Sequence, residues 1–280
     1  MMVENDETLV LRAQNGDMTA LDTLVRNHQS WVFNLALRMV WRRDVAEDAA
    51  QEILIKAVTH LGSFEGRSKF STWLHRIAVN HLLNVRKSEM EEKSMTFTDM
   101  AASLEGVQDE ELPDSKALPV ETHLLVEEAR LGCITAMLMC LERRQRLAFI
   151  LGEVFGESSE TAAAALEVTP ANFRQLLSRA RQDLYQFMHD KCGLVNRANP
   201  CRCARKASGF MRAGWLDPAN LQFTKDRIHS VRQQSAALLS ELEGMDREHA
   251  ELYRAQPMLT GPDLAARLRS LVQQSGFSVE

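Results

Sequence analysis

Ser158-Ser159-Glu160-Thr161-Ala-Ala-Ala-Ala-Leu166-Glu167-Val168-Thr169-Pro170-Ala171-Asn172-Phe173-Arg174-Gln175-Leu176-Leu177-Ser178-Arg179-Ala180-Arg181 is the stretch from which the rest of the chain is read. Ser158 and Ser159 precede a short alanine-rich helix that ends at Leu166, and Glu167-Val168-Thr169 is a three-residue turn. Thr169 is a good N-cap. Pro170 is a good first helical residue, because the N–H it lacks has no partner there. Val168 before the cap and Phe173 in the first turn predict a hydrophobic staple that sets the angle between two helices. In the second helix Phe173, Leu176, Leu177, Ala180 and Leu184 share one face, while Asn172, Arg174, Gln175, Ser178, Arg179 and Gln182 lie mostly elsewhere. Those polar types match base edges and phosphates, and such a helix fits a major groove. An ordinary helical hairpin with a solvated polar face has the same spacing.

The surrounding chain reads as helical too. It has 280 residues, enough for two or three domains, with 45% apolar and 25% charged residues. Gly (13) and Pro (7) are few, and Ala and Leu far outnumber Ile and Val, which favours helix over strand. Apolar spacing predicts helices near 20–27 and 29–42, another capped by Asp44, and another from about Ser71. Leu9, Leu11 and Ala13 precede a break at Gly16-Asp17. The longest apolar run, Trp31 to Trp41, is interrupted by Asn34 and Arg38 and is far short of a membrane span. The N-terminus is acidic, unlike a signal peptide, and a cytoplasmic protein is expected.

Charge is distributed unevenly. The formal net charge is −5. Residues 89–129 hold twelve acidic side chains against Lys93 and Lys116, net −10, and read as an extended, self-repelling linker. Residues 191–232 hold nine basic and two acidic side chains, net +7. A helix is expected over about 225–255, with Ile228, Val231, Leu238, Leu242 and Met245 on one side, and another over 262–275.

Two stretches carry a family resemblance. The first is Asp44-Val-Ala-Glu47-Asp48-Ala-Ala-Gln51-Glu52, then Phe64-Glu-Gly-Arg67-Ser-Lys69-Phe70-Ser-Thr-Trp73-Leu-His-Arg76-Ile-Ala-Val-Asn80. The second is Leu141-Glu-Arg143-Arg144-Gln145-Arg146-Leu-Ala-Phe149 with the helix-turn-helix ending Ser178-Arg179-Ala180-Arg181. Residues 28–90 resemble the second conserved region of the sigma-70 family of bacterial transcription initiation factors, closest to the extracytoplasmic-function group. Residues 141–187 resemble its fourth region.

The resemblance implies an all-α protein of two helical domains, 1–90 and 131–190, joined by an acidic linker, 91–130, with a helical extension, 191–280. It implies a non-enzymatic factor that joins core RNA polymerase and directs promoter recognition, DNA melting and initiation, with an anti-sigma factor as a further partner. Asp44, Glu47, Asp48, Gln51 and Glu52 would dock on polymerase; several lie three to four apart and form a polar stripe. Phe64, Arg67, Lys69, Phe70, Trp73, Arg76 and Asn80 would read the minus-ten element, with Phe64 as the ring free to stack on a captured base. Arg86 and Lys87 would add phosphate contacts. Thr169, Asn172, Arg174, Gln175, Ser178 and Arg179 would read the minus-35 element, with Arg143, Arg144 and Arg181 on phosphate or polymerase. The family usually has Gly where this chain has Glu167, a left-handed position that costs a side-chain-bearing residue about 1 kcal/mol.

The extension holds Cys192, Cys201 and Cys203, with His189 three residues before the first. Three thiolates and an imidazole would close a tetrahedral zinc site, with His229 as another possible fourth ligand. Reduced structural cysteines or a thiol–disulfide pair fit the same spacing, and nearby arginines would lower the thiol pKa. The extension is expected to be regulatory and, being covalently attached, to take the place of a separate anti-sigma protein. The main alternative is a sigma-mimicking decoy that binds an anti-sigma factor without binding DNA. No Gly-rich phosphate loop, HExxH, GxSxG or triad points to an enzyme.

Overall fold

A computed structural model describes residues 4–85, 95–112, 121–224, 249–254 and 256–275, with side chains to 269. Arg86, Lys87, His229 and most of the expected 225–255 helix lie outside the described residues. Among the described residues there is no strand. The helices are α1 (Asp6–Gln14), α2 (Met18–Val40), α3 (Arg43–Thr59), α4 (Phe70–Asn84), α5 (Phe97–Gly106), α6 (Thr122–Met139), α7 (Arg143–Phe149), α8 (Ser159–Leu166), α9 (Pro170–Lys191), α10 (Cys203–Arg212), α11 (His249–Arg254) and α12 (Leu264–Ser275). A π turn, Ile150–Val154, continues α7.

Helix α2 is the axis of the molecule. The Asp17 carboxylate caps it by accepting from the Thr19 and Ala20 N–H groups. The two helices expected near 20–27 and 29–42 are one helix of 23 residues, because no Gly or Pro separates them. From Val32 to Val40 every residue is buried, Asn34 and Arg38 included. Helix α3 packs on α2, and α6, α7 and α12 pack on it as well.

Asp44 does not cap α3. The helix starts at Arg43 with Arg42 as N-cap, and Asp44 lies in the first turn, where its charge still suits the helix dipole. Leu11 is exposed and Val10 is buried in its place.

The linker is the larger correction. Residues 97–106 are helical, fixed by a reciprocal capping box between Thr96 and Asp99, and Met100 and Leu104 are buried. Helix α6 then begins at Thr122, inside the expected linker. The acidic charge does not keep this segment extended, because basic residues of the extension meet it. Lys191 pairs with Glu105 at 2.7 Å, Lys206 with Asp109 at 3.0 Å and Arg212 with Glu110 at 2.6 Å.

The two helical heads are packed on each other. Helix α4 lies against α8 and touches α7. Arg143 at the start of α7 donates to the carbonyls of Leu82, Leu83 and Val85 at the end of α4, bridging the two heads. Arg146 is 1% exposed. Its guanidinium donates to the carbonyls of Leu138, Met139 and Leu141, around the end of α6, and of Met39 near the end of α2. Carbonyls at a helix end need outside donors, and one buried guanidinium supplies two ends here.

Candidate polymerase and promoter interface

The expected docking residues lie along α3. Asp44, Asp48 and Glu52 are exposed, and Glu47 and Gln51 are half-buried. Glu47 accepts from Arg43 at 3.0 Å. The Asp44 carboxyl is held below its usual pKa by its bond with Arg42, despite some burial. The stripe is therefore acidic and faces outward. Arg43 stands at its foot, and its guanidinium donates to the carbonyls of Gln222 and Thr260 in the extension.

Of the seven residues expected to read the minus-ten element, Phe64, Arg67, Trp73 and Arg76 line a cleft of about 370 Å³, and Lys69, Phe70 and Asn80 do not. Phe64 is not a free ring. It is buried, 5.8 Å from the Phe70 ring and 5.4 Å from Trp73. Sequence placed it in an open loop, but Gln14 donates to the carbonyls of Leu61 and Phe64 and draws that loop onto α1. Phe70 is buried as well. Trp73, half-buried, is the ring of this trio with an accessible face. Arg67, Lys69, Arg76 and Asn80 are exposed.

The far wall of that cleft belongs to the other head. Ala164 of α8 lines it, and Glu167 lies 3.9 Å from Arg76. Glu167 has φ 54° and ψ 45°, the left-handed turn expected from the sequence. Behind the cleft His75 stacks on Trp31 at 3.7 Å between ring centroids. Burial, with a smaller push from His28, lowers the His75 imidazole to about 4.

The recognition helix agrees with its sequence. Ser158 caps α8, and the Thr169 hydroxyl accepts from Asn172 N–H at the start of α9. Thr169, Asn172, Arg174, Gln175, Ser178 and Arg179 are all exposed, whereas Phe173, Leu177, Ala180 and Leu184 are buried. Gly152 lets the preceding π turn approach closely: a Cβ there would meet Leu177 at 2.9 Å. Arg181 is engaged within its own head. It donates to Glu153 at 2.5 Å, and Glu153 also pairs with Arg254 of α11.

His189 ends α9 near Cys192 but is exposed, while Cys192 is buried. Among the described residues, no three His, Cys, Asp or Glu side chains form a group able to hold a metal ion. Burial raises the Cys192 thiol and pushes Cys201 to about 11 and Cys203 to about 12. The expected lowering by nearby arginines is outweighed, since Arg202 and Lys206 oppose burial only in part.

Sequence reasoning missed the polar groups that hold the extension. Glu128 accepts from the N–H groups of Gln222, Phe223 and Thr224 and from the Thr224 hydroxyl. Asn34 donates to the Leu259 carbonyl and accepts from the Leu259 N–H. The available signal was a polar residue inside an apolar run, as Asn34 and Arg38 are; such residues are buried only with partners.

The region 2 model of the sigma-70 family matches residues 24–91, and its region 4 model matches residues 131–184. The RNA polymerase sigma-H factor of Pseudomonas aeruginosa is 34% identical over 184 residues, covering 64% of this chain and 91% of that protein. The chain belongs to the sigma-70 family. The ECF RNA polymerase sigma-E factor of Escherichia coli K12 is 33% identical over 177 residues, 63% of this chain and 91% of that one. A solved sigma factor RpoE from Bartonella quintana, in complex with the anti-sigma factor NepR, shares 24% identity at a TM-score of 0.39, over 59% of this chain and 93% of that chain. This sigma factor is a transcription initiation protein and does no bond chemistry. No described helix is long and apolar enough to cross a membrane.

Proposed function

We propose that this sigma factor docks on core polymerase through the α3 stripe, reads the minus-35 element with α9 and the minus-ten element with α4, and is closed when free. The observation that carries the DNA-reading part is the recognition helix. Five polar side chains stand exposed on α9, with Thr169 at its cap, while the opposite face is buried.

The closed state follows from length. The two promoter elements lie roughly 25 base pairs apart, about 80 Å at 3.4 Å per pair. Here Arg76 of the minus-ten helix lies 3.9 Å from Glu167 of the helix-turn-helix. One duplex cannot meet both faces until the heads separate. Residues 216–224 and 249–269 hold them together by binding α2, α3, α6 and the π turn. In this reading the chain's own extension does the work of an anti-sigma partner, and it acts in the bacterial cytoplasm where the polymerase is. The basic extension also engages acidic linker residues that would otherwise be available to a positively charged polymerase channel.

Transcription with purified core polymerase on promoter fragments tests both parts. The full chain is expected to direct RNA synthesis from defined start points. Arg174→Ala with Arg179→Ala is expected to remove dependence on the minus-35 sequence. Absence of any defined start point overturns the reading. Zinc on His189, Cys192, Cys201 and Cys203, which this structure does not bring together as a group, is a separate proposal that requires them to converge: one zinc per purified chain by elemental analysis supports it, and none ends it.

A further inference from the structure

Where the linker helix, α6 and the extension meet, there is a cavity of about 290 Å³. Its walls include Trp41, Met100, Cys133, Ala136, Trp215 and Phe223. The lining is mostly apolar, with Ser103, Glu128 and Gln222 as its polar members. The polar group nearest in kind is Glu128, and its carboxylate is already engaged by the 222–224 backbone. Burial holds the Cys133 thiol protonated. An anionic ligand would therefore find no counter-charge here, and a cationic one would compete with the backbone N–H groups already bonded to Glu128.

Two indoles frame the space. Trp41 ends α2 with φ 65°, a backbone conformation rare for a bulky residue, and its Nε1 donates to the Gly132 carbonyl at 3.3 Å. That bond fixes the ring at the wall. Trp215 follows Gly214, whose φ is 72°, and is 42% exposed, so it stands at the mouth. Two indoles in the lining favour a flat aromatic guest. At interior packing density the space holds about ten to fifteen non-hydrogen atoms.

We propose that this cavity is a binding site for a small, uncharged, planar apolar molecule. The inference rests on the closed reading, because its walls come from the end of α2, α5, α6 and the extension and exist together only when the extension is docked. A guest that binds this form and not the opened one raises the closed population by linkage. It acts as a co-repressor of initiation.

The test uses the full-length free chain and no polymerase. In equilibrium dialysis against 1-nitronaphthalene, uptake is expected to saturate at one molecule per chain. Naphthalene-1-sulfonate, similar in shape but charged, is expected to bind at least about tenfold more weakly. Ala136→Phe fills the cavity and is expected to weaken uptake about tenfold or more. Ala129→Leu, which narrows the same space more gently, is the second variant, and circular dichroism checks the fold of each. Glu7→Gln, on the exposed face of α1, is expected to leave uptake unchanged. Uptake that fails to occur or to saturate, that is equal for the sulfonate, or that is unchanged in a folded filling variant overturns the site. Failure of the closed reading shows up separately, in transcription and in the dimensions of the free chain.

Discussion

Single residues at the joint between the heads carry large energies. Arg146 is buried and donates to four carbonyls. A charged hydrogen bond is worth more than a neutral one, and buried acceptors left without a donor add their own penalty. Arg146→Met is expected to destabilise the chain by roughly 3–5 kcal/mol, read as a lower urea midpoint. Glu167 acts in the opposite direction. It occupies a left-handed position at φ 54°, and its ion pair with Arg76 is half-exposed at 3.9 Å, worth little. Glu167→Gly is expected to raise stability by up to about 1 kcal/mol in the same melt.

His75 gives a pH dependence whose sign is fixed by burial. The folded imidazole stays neutral down to about 4, against 6.5 when free. The unfolded chain therefore takes up the proton first. Stability is expected to fall as pH drops from about 6.5 to about 4 and to level off below, by about 3 kcal/mol at most. Carboxylates contribute in acid too, so the readout is a difference. His75→Phe keeps a ring against Trp31 and is expected to show a shallower loss over that window.

At the scale of elements, α9 separates holding from reading. Its apolar face packs on α7 and the π turn, and Glu153 anchors Arg181 at 2.5 Å. Its polar face points outward. Arg174→Ala is expected to weaken specific minus-35 binding by about 1–3 kcal/mol and to relax base preference at one position, measured with short duplexes. Much of this element was readable in advance, because caps and turn are local chemistry. Phe64 was not, because the Gln14 bonds that draw its loop inward come from α1, fifty residues earlier in the chain. The linker helix was missed for a related reason. Its repulsion is relieved by Lys191, Lys206 and Arg212, about a hundred residues away in sequence.

For the whole molecule, the question is what keeps the heads closed. The linker–extension ion pairs are mostly exposed and worth about 0–1 kcal/mol each. The bonds of Asn34 with Leu259 and of Glu128 with residues 222–224 are buried and screened little by salt. Raising salt from about 0.1 to about 0.5 M is therefore expected to leave the radius of gyration almost unchanged. Unseating the strap is expected to enlarge it. A Cβ on Gly261 would meet the Phe33 ring at 2.8 Å, so Gly261→Leu displaces the extension without altering a reading residue. Small-angle scattering is expected to show an expanded chain, and transcription with core polymerase a higher rate at the same concentration.

Local sequence determined most helices of the two heads, the order of the heads, and the exposed polar faces of α3 and α9, because caps, apolar spacing and polar faces act over a few residues. Tertiary structure alone decided which charges are buried, that Phe64 packs inward, that the acidic segment coils against the basic one, and that α4 faces α8. Each of those depends on a partner dozens to hundreds of residues away, and burial and pairing have no local signature in the chain.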